Sequence, residues 1–341
     1  MICWSLDFEA TDCRRKGEEL SFVVEHDIND SPPTLSPGRL CCHQDGRKIC
    51  AVSRPRAIPS CSGSGLPLIV TQILEEEGAG RGEEKPTMTV IHTNVPYSML
   101  LHRIDFAVQN QIHPEIYFSA EDLDACDEED LQRLSSTLQK NQLETSIHGP
   151  FMDLSPGGVD QRIKEVTRDR ILKTIQLAHF FNPKTIVFHP GYETWKFDGN
   201  VNLWLESSLQ TWRPLVKEAE ERGVTLAVEN VFDESPEPIQ RLLEEIHSPR
   251  FRFCFDTGHQ NVFAKTPLSV WMETLGAFLS EVHLHDNHKE TDEHLPVGEG
   301  EFDFPQFFTL LSRSNLNPLY TIEPHEEAHL WRGLKAVKKY I

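Results

Sequence analysis

Nine side chains able to bind a metal recur between residues 148 and 323: His148, His189, Glu229, Asp256, His259, His283, Asp292, His294 and Glu323. Six of them, His148, His189, Glu229, Asp256, His283 and Glu323, stand at or near the ends of short β-rich runs, as in Leu-Ala-Val-Glu229 and Tyr-Thr-Ile-Glu323. The other three follow shortly after such ends, His259 in Asp256-Thr-Gly-His259 and the pair in Asp292-Glu-His294. A carboxylate that ends an apolar strand needs a cation or hydrogen-bond donors to offset its burial. A lone histidine after a strand is more often a hydrogen-bonded loop residue, so the weight lies in nine matching positions. Mixed imidazole and carboxylate without thiolate suits a divalent ion such as Zn, Mn, Co or Fe(II) better than Mg.

The elements that must position these groups are eight short β-rich runs. They are Thr89–Thr93, Glu115–Phe118, Glu144–His148, Thr185–His189, Thr225–Glu229, Arg252–Asp256, Glu281–His285 and Leu319–Glu323. Helical stretches lie between them: Asp127–Asn141, Gln161–Phe181, Leu203–Arg222, Pro236–Ile246, Phe304–Arg313 and Glu326–Tyr340. Strands alternating with helices predict parallel strands with helical crossovers. Residues 88–341 have the length of a (β/α)8 TIM barrel, in which the C-terminal strand ends meet at one mouth. Neighbouring strands are about 4.8 Å apart, close enough for successive ends to share an ion. A doubly wound dinucleotide fold is the weaker choice, because no G-x-G-x-x-G follows a strand. Cys254, two residues before Asp256, reads as a small buried apolar residue.

The chain has 341 residues and a net charge of −20, and residues 88–341 carry 23 basic against 39 acidic residues. That balance disfavours unaided binding to a nucleic acid backbone. No apolar run reaches 18 residues and no signal-peptide order is seen, so a cytoplasmic protein without a membrane span is expected. Residues 1–87 hold six of the eight cysteines, without C-x2-C spacing, and several Ser/Pro/Gly breaker clusters. They are expected to be a disordered extension. Alternatively, Glu75 to Lys85 is encodable by purine-rich codons, as a ribosome-binding site would be, and Met88 follows, so residues 1–87 would be an untranslated leader with the true start at Met88.

The sequence resembles the xylose isomerase-like TIM-barrel superfamily from Met88 to Ile341. The resemblance rests on His148-Gly-Pro, Phe188-His189-Pro-Gly, Val228-Glu229-Asn, Phe255-Asp256-Thr-Gly-His259, Val282-His283-Leu-His-Asp286, His294-Leu-Pro-Val-Gly-Glu-Gly300, Phe302-Asp303-Phe304 and Ile322-Glu323-Pro. Its isomerase and epimerase branch implies one divalent ion held by Glu229, Asp256, His283 and Glu323. It also implies proton exchange by the two Glu through a metal-stabilised enediolate, with His259 orienting a substrate oxygen. The endonuclease IV-type branch implies three zinc ions on all nine residues and hydrolysis of DNA at abasic sites. The words after Glu229 (Asn-Val-Phe-Asp-Glu-Ser) and after His283 (Leu-His-Asp-Asn-His) favour the first branch. The expected partner is therefore a small sugar or sugar phosphate, with nucleic acid only under the second branch, and one to three divalent ions as cofactor. Lys289, six residues after His283, and Trp195, in the aromatic loop Gly191 to Val201, are candidate substrate contacts. Gly298-Glu-Gly300 is a candidate close backbone approach to the ligand. His285, His288, His325 and His329 fall outside the pattern. The sequence leaves the oligomeric state open, a homodimer being the commonest assembly. N-terminal peptide mapping of the native protein is expected to begin at Met88, and any peptide upstream of it would refute that start.

Overall fold

The computed structural model describes residues 89–341 and, before them, three strands at Val23–His26, Arg39–Gln44 and Arg47–Val52. Those three pair antiparallel with Arg47–Val52 in the centre. The rest of the expected disordered extension, and the start at Met88, lie outside the described residues.

Residues 89–341 form the expected TIM barrel. Its strands are β1 (Ile91–Pro96), β2 (His113–Tyr117), β3 (Ser146–His148), β4 (Ile186–Phe188), β5 (Leu226–Glu229), β6 (Phe251–Asp256), β7 (Leu279–Leu284) and β8 (Leu319–Ile322). All pair parallel, and β8 pairs with β1 to close the ring. The ten helices described are α1 (Tyr97–Gln109), α2 (Ala120–Ala125), α3 (Glu128–Lys140), α4 (Gln161–Phe181), α5 (Val201–Arg222), α6 (Glu237–Ile246), α7 (Thr257–Phe263), α8 (Leu268–Leu275), α9 (Phe304–Arg313) and α10 (Glu327–Val337). No described helix is long and apolar enough to cross a membrane.

Local chemistry sets the helix ends. Asp127 caps α3 and Asp160 caps α4 through side-chain acceptance of backbone N–H groups. Gly223 ends α5 in the left-handed region at φ +70°. Helices α1, α2, α7 and α8 were not expected. Arg103 breaks the helical φ/ψ inside α1, and α2, α7 and α8 have eight residues or fewer, too few to show a period.

The main apolar core lies between the outer strand faces and the helices. Ile116, Phe188, Val228, Phe253, Phe255 and Val282 meet Trp204, Trp212 and Trp271 there, all of them buried. Inside the barrel only Val187, Ala227 and Cys254 form a small apolar cluster. The other buried side chains on the strands include His92, Asn94, Glu115, Ser146, Glu281 and Thr321. Most barrels of this type fill that space with branched aliphatics. Here it is a hydrogen-bonded polar network, which a buried centre of charge above it requires.

His92 tests this interior. Its Nδ1 lies 2.8 Å from Ser146 Oγ, and Nε2 is buried without a partner. Burial pushes its pKa down to about 3, against the opposing charge of Glu115. The unfolded histidine protonates near 6.5, so the unfolded state binds more protons between pH 6.5 and 3, and stability falls as pH falls through that window. Urea unfolding of His92→Gln is expected to lose less stability than wild type on acidification, by on the order of 2 kcal/mol between pH 6.5 and 5.

Candidate metal centre

All nine sequence-selected ligands gather at the mouth. His148, Glu229 and Asp256 end β3, β5 and β6, and His283 is the penultimate residue of β7. His189 and Glu323 stand one residue beyond β4 and β8. Parallel strands ending at one rim bring these six together, and α7 and the loop after β7 bring in the other three. Asp256 caps α7 by accepting the His259 N–H, so the turn that starts the helix also fixes the imidazole.

Three groups result, with Glu229 shared by two. His148 Nε2 and His189 Nε2 lie 3.2 and 3.4 Å from Glu229 Oε2. His283 Nδ1 faces Glu229 Oε2 at 3.5 Å, Asp256 Oδ2 at 3.9 Å and Glu323 Oε1 at 3.3 Å. Asp292 Oδ2 lies 3.3 Å from His259 Nε2 and 3.1 Å from His294 Nε2. His259 Nδ1 ties the groups together at 3.0 Å from Glu229 Oε1.

The electrostatics call for positive charge. Burial would push Glu229 up, but His283, His189 and His148 hold it well below the usual carboxylate range. Burial opposes charge on His283, yet Cys254, Glu115, Glu323 and Glu229 raise it well above the ordinary value. His259 is raised in the same way by Asp256, Asp292 and Glu229 against its burial. Protons on these imidazoles balance the carboxylates, and a divalent cation can replace them. The donor set fits one: His283 Nδ1, His285 Nδ1 and Asp292 Oδ1 are buried without hydrogen-bond partners, and Glu229, Asp256 and His283 offer atoms within 4.8 Å of one another.

Seven of the nine residues, all but Asp256 and His283, line a cavity of about 550 Å³. One wall is apolar and aromatic, with Phe151, Met152, Leu154, Val231, Phe232 and Phe263. Phe151 stacks on His189 at 4.4 Å. Lys196 is the single Lys or Arg lining it among the described residues. Neither of the two expected substrate contacts lines the cavity. Trp195 is 80% exposed and absent from the cavity wall, because Tyr192 and Phe197 fold that loop inward against Trp204 and leave Trp195 outside. Lys289 also lies off the wall, its Nζ 3.5 Å from Glu301. Nor do Gly298 and Gly300 reach into the cavity. Their N–H groups donate to Asp286, and a Cβ on Gly300 would collide with Asn287 O.

Sequence reading missed several members. His285 was set aside, yet its Nε2 lies 2.9 Å from Asp256 Oδ2 and it belongs to two of the ligand-capable groups. The signal was its spacing, since His283-Leu-His285 puts both rings on one face of an extended segment. His325, also set aside, lines the cavity and stacks on His294 at 3.8 Å. Asp233 lines it too, its carboxyl pushed up to about 7 by burial. Nothing in its local sequence distinguishes it.

An eight-stranded barrel whose strand ends carry a buried imidazole–carboxylate centre defines the class of protein. Residues 113–340 match the family described as xylose isomerase-like TIM barrel, and the chain belongs to it. It is similar to the uncharacterized protein MJ1311 of Methanocaldococcus jannaschii, 26% identical over 218 residues, 62% of this chain and 74% of that protein. Among solved structures it resembles a D-tagatose 3-epimerase-like protein, with TM-score 0.63 and 22% identity over 73% of this chain and 97% of the other. It also resembles the TTHB071 protein from Thermus thermophilus, in a structure soaked with ZnCl2. There the TM-score is 0.58 with 23% identity, over 73% and 98% of the two chains. At these identities the likeness to solved structures is one of fold.

Because His283 and His259 must shed protons to ligate, zinc binding is expected to release protons and to tighten as pH rises. Calorimetric titration in two buffers of different ionisation enthalpy reads this directly. Equal heats in both buffers would contradict it.

Proposed function

We propose that the protein is a divalent-metal-dependent isomerase or epimerase acting on a small sugar or sugar phosphate. The observation that carries this reading is His283 Nδ1, buried without a hydrogen-bond partner and facing Glu229, Asp256 and Glu323 within 3.9 Å. Those four residues would hold the ion. When bound, a divalent cation supplies polarisation of a carbonyl and a neighbouring hydroxyl oxygen.

The remaining chemistry belongs to the chain. Glu229 and Glu323 come from strands three positions apart in the ring and approach the centre from different sides. One takes the proton from the carbon beside the carbonyl, leaving an enediolate. The other returns a proton to the opposite face, which inverts that carbon, or to the neighbouring carbon, in which case the hydroxyl proton passes to the former carbonyl oxygen and the carbonyl moves. His259 sits in the cavity wall, where its imidazole can orient a substrate oxygen. The cavity size and its scarcity of cations suit a compact polar ligand, and the epimerases among the structural neighbours support the same reading.

A second reading, phosphodiester hydrolysis, is favoured by the convergence of all nine residues in three groups. Two assays on the metal-loaded protein separate the readings: solvent-deuterium incorporation into candidate ketoses, and cleavage of an abasic oligonucleotide. Deuterium incorporation is expected, with Glu229→Gln and Glu323→Gln each lowering it about 10²–10⁴-fold. Nicking of the oligonucleotide that is lost in Glu229→Gln would establish the second reading instead.

A further inference from the structure

Glu115 has no part in the nine-residue set, and it lies below the mouth within β2, fully buried. Its Oε1 lies 3.2 Å from His283 Nε2, and its Oε2 accepts the Asn94 Nδ2–H at 2.7 Å. The opposite ring nitrogen, Nδ1, is the atom that faces Glu229, Asp256 and Glu323. A neutral imidazole carries one N–H, and the nitrogen that carries it cannot ligate a metal.

We infer that Glu115 is a positioning residue, which accepts the Nε2–H of His283 and so leaves Nδ1 free for the cation that the three mouth carboxylates would share. The neighbouring buried carboxyl, Glu281, is occupied elsewhere, receiving the hydroxyls of Thr185 and Thr321. Glu115 is thus the acceptor in reach of His283 Nε2, and Asn94 holds its carboxylate in register. A carboxylate behind a ligating imidazole fixes the ring's orientation and raises its basicity, and removing such a partner typically weakens metal binding 10–100-fold.

Glu115→Gln separates this role from simple packing, because the side chains are nearly the same shape. Asn94 would keep the amide oxygen as its acceptor, so the amide NH2 would turn to His283. His283 would then present a lone pair at Nε2 and carry its proton on Nδ1, towards the carboxylates. The inference rests on the cation reading of the mouth but needs no turnover, so failure of the isomerase assay leaves it testable.

The test uses the full chain with nitrogen-15 histidine, loaded with cadmium-113, the His283 signals being assigned by their loss in His283→Asn. Wild type is expected to show cadmium coupling to His283 Nδ1 and a hydrogen-bonded Nε2–H. Glu115→Gln is expected to lose that Nε2–H signal and to bind zinc at least 10-fold more weakly. Coupling to Nε2 in wild type would overturn the inference, whether or not the variant folds. So would the absence of cadmium binding, or a variant whose zinc affinity and Nε2–H signal match wild type. A variant that binds more weakly with its Nε2–H signal unchanged would show a packing defect and overturn it as well.

Discussion

Four carboxylates, Glu229, Asp256, Asp292 and Glu323, meet at one barrel rim, three of them on a single imidazole nitrogen. Taking negative charge out of water is costly unless positive charge or donors surround it. The rest of the mouth follows from that requirement. Imidazoles are interleaved with the carboxylates, and the surrounding carboxylates raise His283 and His259 well above the ordinary histidine value. Such a site is poised to exchange protons for metal.

The constraint extends down into the barrel. A centre of charge cannot rest on an aliphatic plug, because each imidazole has a second nitrogen to satisfy. His283 turns its Nε2 to Glu115, Glu115 in turn holds Asn94, and Glu281 takes Thr185 and Thr321. The apolar stabilisation that usually fills the barrel is moved outward, where the strands meet the tryptophans and phenylalanines of the helices. Glycine enters where close approach demands it. Any Cβ on Gly258 would collide with the His285 ring, which must lie there to meet Asp256. The loop after β7 is held by Asp286, whose carboxylate accepts the N–H groups of Asn287, Gly298, Gly300 and Phe302. That loop carries Asp292 and His294 into the centre.

Much of this was legible from residue order. The eight β-rich runs overlap the eight strands, because their apolar residues pack outward against the helices. Their polar ends stood out against that background, as in Val228-Glu229 and Ile322-Glu323. Glu115 was passed over because it lies inside its strand, where nothing local separates a network carboxylate from a solvated one. His285 was set aside as outside the ligand pattern, although it ends the expected run Glu281–His285. Trp195 and Lys289 were selected on residue type in loops, and the loops fold so that neither lines the cavity.

By itself, the sequence determined the alternation of strand and helix and the placing of ligand-type residues at strand ends. Both are local properties, set by side-chain size, polarity and backbone propensity over a few residues. Only the tertiary structure decided that β8 closes against β1, that Glu229 is shared between two ligand groups, and that Glu115 stands behind His283 across 168 positions of chain. Those outcomes depend on ring closure and on which face of each strand turns inward. Strand registry and packing against distant segments settle them, and no short window of residues contains that information.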